Sequence, residues 1–180
     1  MKVLAFAGSN SKASINKQLV EYAASLFENG IVELLDINDF EMTIFGIDKE
    51  TEHGIPDLAY TFANKIAHSD IILISLAEHN GAYSAAFKNI FDWISRIPKQ
   101  SVFQDKGVFI MATSPGARGG AGVLEMAKSR FPWNGGKVLD TFSLPSFEET
   151  FQQGFGIINE TLKEELLQKI AKINLDFSAE

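Results

Sequence analysis

The residues best placed to do chemistry lie in three short loops. The first reads Gly8-Ser9-Asn10-Ser11-Lys12-Ala13-Ser14-Ile15-Asn16 and follows an apolar run at residues 3–7. Ser9, Ser11 and Ser14 offer hydroxyls and Asn16 offers an amide. A helix starting there adds unpaired backbone N–H groups at the positive end of its dipole. Such a set suits a terminal phosphate. A serine N-cap accounts for one hydroxyl, not for three within six residues. The second loop, Ala77-Glu78-His79-Asn80-Gly81, follows the apolar run 71–76. The third, Ser114-Pro115-Gly116-Ala117-Arg118-Gly119-Gly120, follows the run 108–113. Glycine lets a backbone come close to a flat ligand. The three loops together predict a site for a planar, phosphorylated molecule.

Other chemistries lack their residues. The first loop has neither the Gly-Lys-Ser/Thr of a Walker A turn nor a Gly-x-Gly-x-x-Gly turn, which disfavours ATP and a dinucleotide bound at such a turn. No Gly-x-Ser-x-Gly elbow occurs. The chain has no cysteine, so disulfides, thiolate metal sites and cysteine nucleophiles are excluded. Its three histidines, His53, His68 and His79, lack metal-ligand spacing. No acid–base dyad or nucleophile triad emerges, and we name no catalytic side chain and no metal ligand.

The elements that must carry these loops follow from periodicity. Runs at residues 3–7, 31–35, 71–76, 108–113 and 138–142 read as strands, apolar without alternation where both sheet faces are covered. Helices are expected at residues 16–27, with Leu19, Val20, Ala23 and Phe27 on one face, and at 58–67, with Leu58, Phe62 and Ile66. Further helices are expected at 84–96, with the stripe Phe87, Ile90, Phe91 and Ile94, and at 119–130 and 159–173. Strands alternating with helices make a doubly wound parallel sheet. In such sheets ligands bind outside the carboxyl ends of the strands. Five strands in a short chain fit the order 2-1-3-4-5. The long connection 40–56 carries Met42, Ile44, Phe45 and Ile47, and is either a binding loop or packed on a sheet edge.

Size and charge narrow the setting. The 180 residues, 46% hydrophobic, suit one domain over residues 1–180. A net charge of -7 argues against a nucleic-acid partner. No apolar stretch is long enough for a membrane span. The absence of cysteine and of a signal-peptide pattern fits a cytoplasmic protein.

The loop sequences are similar to those of a known family. Gly8-Ser9 followed by Ser14-x-Asn16, then Glu78-His79-Asn80-Gly81 leading to Phe87-Lys88-Asn89-x-x-Asp92-Trp93, then Ser114-Pro115-Gly116-x-x-Gly119-Gly120 and Leu144-Pro145-Ser146-Phe147, resemble the NADPH-dependent FMN reductases. The resemblance implies a flavodoxin-like three-layer sandwich and an α/β fold. It implies FMN as cofactor and NADPH or NADH as electron donor. The acceptor would be a quinone, azo compound, metal oxyanion or free flavin. The active form would be a homodimer or homotetramer. Ser9, Ser11, Ser14, Ile15 and Asn16 would hold the FMN phosphate. Glu78, His79, Asn80 and Gly81 would edge the ring, and Ser114, Pro115, Gly116 and Gly119 would line its other side. Two departures from the family pattern stand out: Ser11-Lys12 where an arginine is common, and Ala77-Glu78-His79-Asn80 where Pro-Glu-Tyr-Asn is common. A flavodoxin-type electron carrier, or an interaction domain of the same fold without a cofactor, are the rival expectations.

Overall fold

A computed structural model describes residues 1–27 and 30–178. The chain begins with strand β1 (Lys2–Gly8), helix α1 (Ile15–Ser25) and strand β2 (Ile31–Leu35), then a 3-10 turn at Ile37–Phe40. Helices α2 (Ile47–His53) and α3 (Asp57–Ala67) lead to β3 (Ile71–Leu76), the short strands β4 (Glu78–His79) and β5 (Ala82–Tyr83), and α4 (Ala85–Ile94). Next come β6 (Gly107–Thr113), α5 (Ala121–Arg130), a 3-10 turn at Phe131–Asn134 and β7 (Lys137–Leu144). The chain continues through α6 (Phe147–Thr150), the short strands β8 (Phe151–Gln152) and β9 (Gly156–Ile157), and α7 (Glu160–Ser178).

The main sheet is parallel, with order β2-β1-β3-β6-β7. Counting its strands along the chain gives 2-1-3-4-5, as the sequence predicts. Every residue of β3 and β6 is buried, and a period of two divides each strand between two cores. Leu4, Phe6, Ile72, Ile74, Val108 and Ile110 face a core shared with α3, α4 and α5. Val3, Ala5, Ile71, Leu73, Phe109 and Met111 face a core shared with α1 and α7. Continuous apolar runs are what such two-sided burial requires.

The helix stripes are mostly as expected. Leu19, Val20, Ala23 and Phe27 are buried in one core, and Phe87, Ile90, Phe91 and Ile94 in the other. In α3 the buried face is Ala59, Phe62, Ala63 and Ile66, while Leu58, in the first turn, is exposed. Helix α5 starts at Ala121 rather than 119, because Gly119 and Gly120 take positive φ angles of 55° and 76°. The connection 40–56 divides in two ways. It contains α2, and it packs Met42 and Phe45 against a core while Ile44 and Ile47 stay exposed. Among the described residues, no helix is long and apolar enough to cross a membrane.

Candidate functional site

Register gathers the three loops. Gly8 pairs with Leu76, and Leu76 pairs with Ala112. The strands β1, β3 and β6 therefore end at one level, and residues 9–14, 77–84 and 114–120 leave the sheet side by side. This is the carboxyl edge of the sheet, where ligands of open α/β folds sit.

The first loop is open and polar. Ser11 is exposed and Ser9 half-buried; the Ser11 N–H donates to Ser9 Oγ at 3.3 Å. Ser14 is the N-cap of α1, its Oγ accepting from the Lys17 N–H at 3.1 Å. That leaves the N–H groups of Ile15 and Asn16 in the first turn without an intrahelical acceptor. The Asn16 side chain turns inward instead. It is 3% exposed and bonds to Thr113 and Ser75. Lys17 pairs with Asp36 at 2.7 Å, tying α1 to the end of β2. That hydrogen bond holds the Lys17 amine above its ordinary range and the Asp36 carboxyl below its own. Lys12, in the loop itself, is exposed.

The second loop is a β-hairpin. Glu78 pairs with Tyr83 and His79 with Ala82, and Asn80 and Gly81 turn with φ of 54° and 78°. Asn-Gly with two positive φ angles is the favoured two-residue hairpin turn. The stretch expected as a plain loop is thus a hairpin, and its Asn-Gly pair is the sequence signal for it. His79, Asn80 and Gly81 are exposed at its tip. Glu78 reaches sideways: its Oε2 accepts from the Val123 N–H at 2.9 Å. The carboxylate thus caps the first turn of α5, where negative charge is favoured.

The third loop is braced by the chain beyond β7. Ser114 Oγ donates to the Gly116 carbonyl at 3.1 Å. The Ser146 N–H donates to the Gly116 carbonyl at 3.0 Å, and the Phe147 N–H to the Ser114 carbonyl at 3.1 Å. Ser143 Oγ donates to the Gly119 carbonyl at 3.0 Å. A Cβ on Gly119 would lie 2.9 Å from the Pro145 nitrogen and would also strike Ser143, so internal packing demands this glycine. Gly81 and Gly116 differ: a Cβ at either would meet nothing within 4 Å. Their bare backbone faces open space, the kind of surface a flat ring can approach. Pro115 and Arg118 are exposed on the same loop.

Sequence reasoning missed several residues that build the site. Ser84 caps α4, accepting from the Phe87 N–H at 3.2 Å, and donates to the Gly8 carbonyl at 2.8 Å. Its place before an apolar helical stripe was the available signal. Asn89 and Trp93 hold the segment after the first 3-10 turn. Asn89 Oδ1 accepts from the Phe45 N–H at 2.8 Å, and its Nδ2 donates to the Met42 carbonyl at 2.9 Å. Trp93 Nε1 donates to the Thr43 carbonyl at 2.7 Å. A cleft of about 220 Å³ opens there, lined by Asn10, Phe40, Met42, Ile44, Ala86 and Asn89 among others. It borders the first loop through Asn10.

Similarity to known proteins gives the family. The family model of NADPH-dependent FMN reductases matches residues 1–149. The chain belongs to that family. Among known proteins, a 2-hydroxy-1,4-benzoquinone reductase from Burkholderia sp is 34% identical over 122 residues, which are 67% of this chain and 64% of that protein. A quinone reductase from Escherichia coli is 31% identical over 126 residues, with the same two shares of 67% and 64%. The match thus spans less than two thirds of the length of these reductases. Among solved structures, the flavoenzyme NAD(P)H:(acceptor) oxidoreductase FerB from Paracoccus denitrificans superposes with a TM-score of 0.77. It has 24% identity, and the match covers 96% of this chain and 94% of that one. An FMN-dependent NADH-azoreductase from Bacillus anthracis, in complex with FMN, gives 0.69 at 10% identity, over 97% of this chain and 100% of that one. At these identities the superpositions establish the flavodoxin-like fold.

Proposed function

We propose that this family member is an NAD(P)H-dependent reductase that carries FMN across its three loops and delivers electrons to a small-molecule acceptor of the quinone type. One observation carries the reading above the others. The register of β1, β3 and β6 sets an open helix start beside two stretches of bare glycine backbone, a pairing that matches a phosphate at one end and a flat ring at the other.

Each loop has its own task. The hydroxyls of Ser9 and Ser11 and the first-turn N–H groups of Ile15 and Asn16 receive the phosphate, with the capping Ser14 fixing the helix start. His79, Asn80 and Gly81 offer backbone along one edge of the ring, on a hairpin that Glu78 pins to α5. Ser114, Pro115, Gly116 and Gly119 form the opposite wall, stiffened by residues 143–147. Bound FMN supplies a centre that accepts hydride and releases electrons onward. The protein orients donor and acceptor at that centre and supplies hydrogen-bond donors where charge grows; no side chain here is required to move a proton. The chain works as one unit over residues 1–180, in the cytoplasm, as a dimer or tetramer. Azo compounds, metal oxyanions and free flavin are further acceptors to try.

Anaerobic mixing of the FMN-loaded protein with NADPH or NADH tests this. The flavin's visible absorbance should bleach within a catalytic cycle time and return on adding a benzoquinone. A flavin that stays oxidised with both nucleotides would rule out the reductase and leave an electron carrier.

A further inference from the structure

The side chain of Asn16 is turned away from the loop that its sequence position suggests it serves. Its Oδ1 accepts from the Thr113 N–H at 3.1 Å and from Ser75 Oγ at 2.8 Å. Its Nδ2 donates to the Thr113 carbonyl at 3.3 Å. The amide therefore pairs with both backbone groups of one residue, as a neighbouring strand would, across 97 residues of sequence. Asn16 and Thr113 are 3% and 2% exposed, and Ser75 is fully buried.

The partners sit at informative places. Thr113 is the last residue of β6 and immediately precedes Ser114 of the third loop. Ser75 lies one residue before the end of β3, which leads into the second loop. Asn16 itself is in the first turn of α1, beside the proposed phosphate site. One buried side chain thus locks the helix start to the strands that feed the other two loops.

We infer that Asn16 is a positioning residue: its side chain sets the spacing between the phosphate end and the ring end of the flavin site and does not bind the phosphate. The inference rests on the flavin reading above. A ligand with two ends gains from their linkage only while the two half-sites keep the matching separation. Loosening the staple leaves each half-site intact for a ligand that uses it alone. The penalty falls on the ligand that spans both.

Three ligands separate the roles. Dissociation constants for FMN and riboflavin are read from quenching of flavin fluorescence, and that for inorganic phosphate from its competition with FMN. The proteins are the wild type, Asn16→Ala and Ser75→Ala, each checked for folding by circular dichroism. The expected result is FMN binding weakened about tenfold or more in Asn16→Ala and about threefold in Ser75→Ala, with riboflavin and phosphate within about twofold of wild type. Phosphate affinity falling in step with FMN would overturn the inference in favour of a direct ligand. Riboflavin falling in step would reduce Asn16 to general structural support, and unchanged FMN affinity would remove its role altogether. If Asn16→Ala does not fold, Ser75→Ala decides by the same three constants. Failure of the wild type to bind FMN is a separate outcome, which rejects the flavin reading and the inference with it.

Discussion

At the scale of single residues, the chemistry divides between groups that face out and groups that are already committed. Ser11 is exposed, and its removal should leave the fold untouched. We expect Ser11→Ala to weaken FMN by about 1.5–3 kcal/mol, from one lost hydrogen bond to a charged group, with an unchanged melting temperature in the flavin-free protein. Tyr83 is the reverse case. Its hydroxyl is buried without a hydrogen-bond partner, stacked near Phe91 and Phe131. Burial pushes its pKa from 10.0 to about 12. The folded protein thus holds this proton more tightly than the unfolded chain does. Its contribution to stability is complete below pH 10 and declines as the pH rises toward about 12. Tyr83→Phe should therefore keep or raise stability near neutrality, since the hydroxyl it deletes has no partner. The difference in tyrosinate absorbance between wild type and Tyr83→Phe should show a step near pH 12. The residue types in the three loops were legible from sequence alone. The destinations of Asn16 and Glu78 were not, because their partners lie 97 and 45 positions away and only the folded sheet brings them near.

At the scale of elements, the strands were readable because burial on both faces makes continuous apolar runs, and the long helices because burial on one face writes a period into the chain. Two-residue strands carry too few residues for any period, so the β4–β5 and β8–β9 hairpins went unseen. The Asn89 and Trp93 pair shows a motif whose meaning is structural. From one face of α4 it holds residues 42–45 by bonds to Met42, Thr43 and Phe45. Asn89→Ala should cost about 1–3 kcal/mol and speed amide hydrogen exchange across residues 42–47 ahead of the rest of the chain. The glycines before α5 are a second case. Gly120 has a φ of 76°, and a Cβ there would come within 2.7 Å of the Ala112 Cβ. Gly120→Ala should lower stability by at least about 1–3 kcal/mol, measured by denaturant midpoint, since both strain and contact oppose it.

At the scale of the whole molecule, the parallel order β2-β1-β3-β6-β7 does what composition could not announce: it brings three separated loops to one edge of the sheet. The net charge of -7 makes a local source of positive potential necessary for a phosphate, and in the proposed site the start of α1 with Lys12 nearby would provide it. The order of the sheet followed from strand count and chain length, while the bracing of the third loop by residues 143–147 depended on where β7 ends and was hidden until the fold was known. The central claim is that this edge seats FMN by its phosphate and its ring together. Titration of the purified protein with FMN, followed by flavin fluorescence, tests it most directly. The account predicts saturable quenching at one FMN per chain, with riboflavin bound distinctly more weakly; an unchanged fluorescence, or riboflavin bound as tightly as FMN, would contradict it.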